Sequence, residues 1–243
     1  MISVKRIGAI AALVVFFISC NNDVEIPAKN KEVKKEQVAN PANLTYFYPT
    51  SIKPLVYVYS VNNNPFLETY LKITSVKSKG DTLMMLEYFD ANLELKEGYT
   101  INLNKNFEVI NHMTSSNGIK YTSKISKNNF FPMEGEKVAR FMVDFPTTND
   151  TVVALFERDL ELVDTISYMF QDDLLTCIKA IDHIRLTRLH TITKKENVQL
   201  GEIVSLYAEG IGKVAQFPSA GGDTMKLVRT IAIEEWDKLT HQL

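Results

Sequence analysis

The sequence predicts an all-β protein whose antiparallel meander curls into a partly open barrel or a two-layer sandwich. Short runs of alternating apolar and polar residues recur at intervals of about 8–12 residues, and turn residues separate them. No stretch sustains the apolar period of an amphipathic helix. Regular short strands of this kind favour a sandwich or barrel over the alternating strands and helices of a parallel sheet.

The N-terminus has the layout of a secretory signal. Lys5 and Arg6 precede an apolar run over residues 7–18, which is shorter than the roughly 20 residues that a spanning helix needs. Phe17-Ile18-Ser19-Cys20 resembles a bacterial lipobox, with Phe17 in place of the usual aliphatic residue. The resemblance implies cleavage before Cys20 and acylation of its sulfur and new amino group, which together anchor a protein stably. The alternative is a signal-anchor helix in which Cys20 is incidental.

Three segments follow from this N-terminus. We predict a signal peptide at residues 1–19, a lipid anchor and flexible tether at 20–43, and a single β-rich domain at 44–243. The tether mixes Lys and Glu with Asn, Pro and Ala, and it has too few large apolar residues to order itself. Asn21, which is not Asp, is compatible with sorting to the outer membrane. We therefore expect an outer-membrane or periplasmic protein that contacts the membrane through its lipidated N-terminus.

Several strands can be placed from the alternation. The clearest predicted strands cover residues 55–61, 82–89, 198–207 and 225–233. Residues 151–157 and 161–170 are predicted as separate strands, and 174–193 as two strands or one bent strand. Residues 234–243 would add one amphipathic helical turn or a frayed end.

A short aromatic pattern occurs twice. Phe47-Tyr48-Pro49 precedes the strand at 55–61, and Phe130-Phe131-Pro132 precedes a strand at 137–145. The repetition indicates either two related halves or chance.

Residues 207–216, YAEGIGKVAQ, form the stretch around which the rest is organised. Gly210 and Gly212 lie two residues apart between apolar flanks, which predicts a bend between two strands where another part of the chain approaches closely. The structural motif that we assign here comprises Tyr207, Gly210, Gly212 and Val214.

This motif carries a resemblance to a class of bacterial envelope lipoproteins. Tyr207, Gly210, Ile211, Gly212 and Val214 match the late [WY]-x-x-G-[VI]-G-x-V motif of TapB-like proteins. In those proteins the motif follows a D-C-x-x strand, which Thr176-Cys177 matches with Thr in place of Asp, and Tyr57-Val58-Tyr59 stands where Trp-x-Tyr is usual. The resemblance covers most of residues 45–233. It implies a curved antiparallel sheet like that of the LolA/LolB lipoprotein carriers, and it implies no known reaction.

The chemistry-bearing residues do not form a recognisable catalytic set. There is no nucleophile elbow, phosphate loop or zinc-protease motif, so we predict no catalytic residue, no metal site and no cofactor. His183 and His190 would point to opposite faces of a strand. Cys177 is expected in the core, and a formal net charge of −2 gives no reason to expect nucleic acid as a partner.

Two further patterns bear on ligands and modification. Aromatic and methionine side chains of the first half could line an apolar concave face or an ordinary core. They include Tyr46, Phe47, Tyr48, Tyr57, Tyr59, Phe66, Tyr70, Met84 and Met85. Asp-Thr-apolar triplets beginning at Asp81, Asp150, Asp164 and Asp223 resemble an O-glycosylation consensus, and they are equally typical of turns that enter strands.

Three functional hypotheses follow. The first is a non-enzymatic envelope lipoprotein whose β-domain binds a partner protein, a glycan or a lipid. The second is a LolA/LolB-like carrier of acyl chains or lipoproteins, which predicts a deep apolar cavity. The third is a hydrolase, which needs a nucleophile–base pair that the sequence does not reveal.

Overall fold

The described residues form a 13-stranded antiparallel sheet that curls into a nearly closed barrel, as the sequence predicted. A computed structural model describes residues 45–50, 53–116, 118–133, 135–147 and 151–241. The strands, numbered β1 to β13, are Leu55–Val61, Asn64–Ser78, Asp81–Phe89, Leu95–Asn102, Glu108–Ser116, Ile119–Thr122, Lys124–Asn128, Val138–Pro146, Val152–Phe170, Asp173–His190, Glu196–Ala208, Gly212–Pro218 and Met225–Ala232. Their order in the sheet is β6-β5-β4-β3-β2-β1-β13-β12-β11-β10-β9-β8-β7. Each strand therefore pairs with its neighbours in sequence except at two places: β1 pairs with β13, and β6 does not pair with β7.

The first of these two places joins the ends of the chain's β-structure. Strand β1 pairs antiparallel with β13 from Leu55↔Ala232 to Val61↔Met225. The second place is the seam between the two edges of the sheet, where β6 does not pair with β7 and the end of β7 lies beside β5 through the isolated bridge Glu108↔Asn129. Across it the Ser123 N–H donates to the His112 carbonyl at 3.0 Å, and the Phe130 N–H donates to the Phe107 carbonyl at 3.1 Å. The barrel is therefore closed everywhere except at this thinly bonded seam.

Alternation along each strand separates an interior from an outer face. On β1, Tyr57 and Tyr59 belong to the main core, whereas Val56 and Val58 belong to a smaller cluster outside the barrel. That outer cluster is covered by α1, Ile233–Thr240, whose Trp236 is buried. The helix replaces the single turn or frayed end that the sequence predicted. Within the described residues, no helix is long and apolar enough to cross a membrane.

One long strand differs from the prediction, and a second one selects between the two alternatives that the sequence left open. Strand β9 runs without interruption through residues 158–160, where the sequence predicted a break, and β10 is one strand with a register shift at Lys179/Ala180. The tip of this hairpin extends beyond the neighbouring strands. Its partly buried Ile166, Tyr168 and Leu175 pack on the core, and Gln171 Nε2 donates to the Val228 carbonyl of β13 at 2.7 Å. The hairpin tip therefore folds back towards β13.

Candidate functional site: the barrel interior

One end of the barrel is filled by aromatic rings. We call this group the aromatic cluster: Phe47, Tyr48, Phe107, Phe130, Phe131 and Tyr207. Phe47 lies at its centre, with ring centroids 4.9 Å from Phe107, 6.0 Å from Phe130 and 5.2 Å from Phe131. Phe131 in turn lies 5.1 Å from Tyr207. The two aromatic-aromatic-Pro segments of the sequence thus meet each other inside the barrel.

The predicted glycine motif receives one of these segments. Gly210 has φ +72° and its N–H donates to the Thr45 carbonyl, while Gly212 has φ +96°. A Cβ on Gly212 would stand 2.5 Å from Cδ1 of Tyr48, so only glycine permits this ring to lie against the backbone. The motif residues Tyr207 and Val214 are both buried. The bend therefore holds residues 45–50 in place by close approach.

Below the aromatic cluster the interior becomes polar. We call this second group the polar cluster: Glu97, Arg158, Asp182, Ser205 and Lys213, with the hydroxyls of Tyr48, Tyr59, Tyr88 and Tyr207. On β9, Arg158 lies two residues from each of the buried Phe156 and Leu160. On β10, Asp182 is the cross-strand partner of Leu160. The period of two therefore points both charges inward. The side chains of Arg158 and Glu97 remain 12% and 15% exposed, so neither is completely sealed from solvent.

Arg158 joins the two clusters. Its Nε lies 3.4 Å from Asp182 Oδ1, its Nη2 donates to the Phe130 carbonyl, and its Cζ lies 4.3 Å from the Phe130 ring centroid. Asp182 Oδ2 accepts a hydrogen bond from Ser205 Oγ at 3.2 Å. The Nε and Oδ1 atoms are buried and form no hydrogen bond of good geometry. A buried ion pair of this kind is costly to break, because removal of one partner leaves the other charge uncompensated.

Lys213 brings a second cation into the interior. Its Nζ donates to Gln216 Oε1 at 2.9 Å and lies 5.9 Å from the Tyr207 ring centroid. Desolvation lowers the pKa of Lys213 to about 8, and the charge of Asp182 only partly opposes this effect. The side chain is nevertheless not fully buried. Lys213 therefore keeps some contact with solvent, although most of its side chain is desolvated.

Tyrosine hydroxyls lie close to the charged side chains of the polar cluster. Tyr59 donates to the Lys213 carbonyl at 2.9 Å. The Tyr48 hydroxyl is buried among those of Tyr59, Tyr88 and Tyr207 without a well-aligned hydrogen bond. Desolvation raises the pKa of Tyr48, Tyr59 and Tyr88, so all three remain protonated donors near neutral pH. The Tyr48 hydroxyl thus keeps unused hydrogen-bonding capacity in the interior.

The structure also assembles a nucleophile–base pair that the sequence did not reveal. Ser123 Oγ lies 2.7 Å from His112 Nδ1, and His112 Nε2 lies 3.0 Å from Glu97 Oε1. His112 is 1% exposed, between the rings of Tyr99 and Phe141. The Ser123 N–H is already used by the His112 carbonyl, so it cannot stabilise an oxyanion. We therefore interpret the contacts of Ser123, His112 and Glu97 as a satisfied buried network that holds Glu97 in place.

A cleft of about 340 Å³ lies on the other side of Tyr48. Its lining includes Phe47, Tyr48, Pro49, Glu209 and Gly210. Its walls come from the first described segment of the chain and the glycine bend. The Tyr48 side chain therefore separates this cleft from the polar cluster.

Other residues singled out in the sequence lie away from the interior site. Cys20 lies outside the described residues. Cys177 is a buried free thiol, and burial raises its pKa to about 11, which agrees with a core residue. His183 is half exposed beside Glu161 and Glu202, and His190 contacts the turn that follows it. Among the described residues, no three Asp, Glu, His or Cys side chains converge as metal ligands.

The apolar concave face and the triplets can also be placed. Tyr57, Tyr59 and Met84 face the core, whereas Phe66 is 86% exposed and Tyr70 packs outside the barrel on Trp236. The aromatic residues of the first half therefore do not share one face. Of the four threonines in the Asp-Thr triplets, Thr165 is exposed, and Thr82, Thr151 and Thr224 are half-buried.

The sequence alone did not predict the site formed by Arg158, Asp182, Glu97 and Lys213. Arg158 lies where the sequence predicted a break between strands, and Lys213 was noted only as part of the glycine motif. The alternation of apolar and polar residues could have revealed two of them, because Arg158 and Asp182 each stand at a strand position whose neighbours two residues away are apolar.

Comparison with solved structures finds similar folds at low sequence identity. A candidate lipoprotein from Parabacteroides distasonis is 12% identical, with a TM-score of 0.45, over 77% of this chain and 99% of its own. A candidate exported protein with a YmcC-like fold from Bacteroides fragilis is 12% identical, with a TM-score of 0.40 and the same coverage. The hypothetical lipoprotein YmcC from Escherichia coli is 7% identical, with a TM-score of 0.35, over 78% of this chain and 89% of its own.

No protein-family model and no curated protein matches the chain. The resemblance to TapB-like proteins and to LolA/LolB carriers therefore stays a prediction from the sequence motifs.

Proposed function

We propose that this chain is a lipid-anchored, non-enzymatic protein of the bacterial envelope whose barrel interior binds a glycan. The observation that carries the proposal is the polar cluster, in which two carboxylates, two cations and several tyrosine hydroxyls are grouped in the interior while Arg158, Glu97 and Lys213 keep part of their surface open to solvent. The lipobox at Cys20 and the polar segment after it support the anchor.

The same cluster argues against a carrier of acyl chains. A hydrocarbon chain in this space would displace water from Arg158, Asp182 and Lys213 without offering them a hydrogen bond, which is unfavourable. The remaining interior is occupied by rings in mutual contact, such as Phe47 against Phe107 and Phe131. A LolA/LolB-like carrier would need a deep apolar cavity in their place.

Sugars match the groups that are present. A glycan offers many hydroxyls that both donate and accept, as do the hydroxyls of Tyr48, Tyr59 and Tyr88. Arg158 and Lys213 carry hydrogen-bond donors on side chains that stay partly exposed, so sugar hydroxyls could accept hydrogen bonds from them. The faces of aromatic residues add apolar surface for a sugar ring.

The test uses the full chain in mild detergent on a printed array of neutral and acidic bacterial oligosaccharides. We expect binding to a subset of sugars, and we expect Tyr88→Phe to weaken it because this variant removes an inward hydroxyl. Tyr70→Phe is the matched control, since Tyr70 packs on Trp236 outside the barrel. An array without a bound sugar, or equal loss in both variants, would contradict the proposal.

Two parallel measurements examine the other hypotheses. Native mass spectrometry of the extracted protein would reveal a co-purifying acyl lipid, which would favour the carrier. Hydrolysis of p-nitrophenyl acetate that disappears in Ser123→Ala would favour the hydrolase, because His112 lies beside that hydroxyl.

The anchor is tested separately. We expect Cys20→Ala to move the protein from the membrane fraction to the soluble fraction, because the acylated sulfur is lost. Ser19→Ala is the control, since it keeps a small residue before the cysteine. Membrane retention of Cys20→Ala would contradict lipidation.

A further inference from the structure

Lys213 has no carboxylate partner of its own among the described residues. The interior carboxylate Asp182 is committed to Arg158 and Ser205, and Glu97 accepts from Tyr99 at 2.6 Å while it contacts His112. The Lys213 ammonium is left with the neutral amide of Gln216 and the face of Tyr207. Two of its three N–H donors thus have no protein acceptor in the part of the chain that the structure describes.

We infer that Lys213 is the anion subsite of this glycan site and that it binds the carboxylate of an acidic sugar. The inference rests on the proposed function and names the class of its ligand. A single uncommitted ammonium matches the single charge of a carboxylate better than the double charge of a phosphate monoester. The guanidinium of Arg158 is not a competing subsite, because Asp182 already neutralises it.

The position of Lys213 suits recognition of one end of a ligand. Its backbone is fixed in two ways. The Lys213 carbonyl accepts a hydrogen bond from the Tyr59 hydroxyl, and the preceding residue, Gly212, lies against the Tyr48 ring. Its side chain then passes the Tyr207 ring and reaches Gln216, three residues further along β12. The ammonium is thereby held beside ring faces and hydroxyls that can contact the rest of a sugar.

The neighbours of Lys213 define how binding should respond to pH. The groups that face it are Arg158 of β9, Asp182 of β10, Glu97 of β4, Gln216 of β12, and Tyr59 and Tyr207 of β1 and β11. Burial raises the pKa of both tyrosines, so they stay neutral in the alkaline range where Lys213 loses its proton. Affinity for an acidic sugar should therefore fall between pH 7 and about 9, while affinity for a neutral sugar stays constant.

The experiment compares pairs of oligosaccharides that differ by one uronic acid in place of the neutral hexose. We expect the wild-type chain to bind the acidic member about tenfold more tightly at pH 7, as for one charge-assisted hydrogen bond. Lys213→Met keeps the aliphatic stem and should reduce the affinity ratio of the acidic to the neutral member from about ten to about one. Lys238→Met, at an exposed position of α1, should keep the preference.

The outcomes separate this inference from the proposed function. Equal binding of both members by the wild-type chain, or a preference that survives in Lys213→Met, overturns the anion subsite and leaves the glycan site intact. Failure of every sugar to bind overturns the proposed function, and the subsite with it.

Discussion

The two layers of the barrel interior are built from different kinds of side chain and meet at Arg158 and at Tyr48 and Tyr207, whose rings belong to the aromatic cluster and whose hydroxyls belong to the polar cluster. The aromatic cluster is held by ring contacts such as Phe47 on Phe131, and its shape is fixed by the close approach of Tyr48 to Gly212. The polar cluster is held by charge, with Arg158 and Asp182 paired inside the protein. Arg158 contacts both layers, since it binds Asp182 and also lies over the Phe130 ring.

The difference indicates which layer serves stability and which serves binding. The packed phenylalanine rings contribute through burial and carry no polar atom that needs a partner. The polar cluster includes a desolvated lysine and buried atoms without hydrogen bonds, which are unfavourable for folding. Such features concentrate at functional sites. The comparison therefore predicts that some substitutions in the polar cluster stabilise the protein, whereas substitutions that disturb the ring packing of the aromatic cluster destabilise it.

Asp182→Asn should have the largest effect. It removes the charge that compensates Arg158 in the interior, which should lower the free energy of unfolding by about 4 kcal/mol. Asp159→Asn is the matched control, because Asp159 pairs with Arg140 on the outside, where both side chains are about half exposed. Its cost should stay below about 0.5 kcal/mol. Equal effects in urea titration would show that the interior pair is not desolvated.

Gly212→Ala should rank second. Its Cβ would stand 2.5 Å from the Tyr48 ring at a φ of +96°, so strain and overpacking together should cost about 3 kcal/mol. Gly210→Ala lies two residues earlier in the same bend, also at positive φ, and its Cβ would meet no described atom within 4 Å. It should cost about 1 kcal/mol. The difference in thermal stability between the two variants measures the clash with the Tyr48 ring. Similar losses of stability in both variants would show that backbone strain alone accounts for the effect.

The sequence predicted the fold class because strand alternation and turn residues are local signals. Leu55–Val61 and the bend at Gly210 and Gly212 needed no knowledge of distant residues. The choice between barrel and sandwich depended on the pairing of β1 with β13, which joins opposite ends of the chain. No local pattern reports such a contact.

The site was harder to predict, because a buried charge has the same local appearance as a turn. Arg158-Asp159 suggested a break, yet Arg158 points inward to Asp182 while Asp159 points outward to Arg140. The partner that makes a buried arginine tolerable lies on the next strand and is invisible from β9 alone. The same holds for Ser123, His112 and Glu97, which three different segments bring together.

Lys213→Met should stabilise the protein at pH 7 by about 2 kcal/mol, because the folded chain no longer desolvates an ammonium. The pKa of Lys213 falls from 10.5 to about 8 on folding, so between these values the unfolded chain binds more protons. The contribution of Lys213 to stability therefore rises with pH through this window, and the difference from the variant should shrink. Urea titrations from pH 7 to 10 measure it. Parallel curves would contradict the desolvation of Lys213.

The smallest effect distinguishes two tyrosines whose rings lie 5.8 Å apart at the boundary of the two layers. Tyr57 donates to the Ile211 carbonyl at 2.7 Å, so Tyr57→Phe should cost about 1 kcal/mol. The Tyr48 hydroxyl is buried without a well-aligned partner, so Tyr48→Phe should leave the stability of the free protein unchanged or raise it slightly. If that hydroxyl serves a bound sugar, Tyr48→Phe should instead weaken binding on the array, where Tyr57→Phe should not. A loss of stability in Tyr48→Phe equal to that in Tyr57→Phe would place Tyr48 with the packed layer and remove it from the binding site.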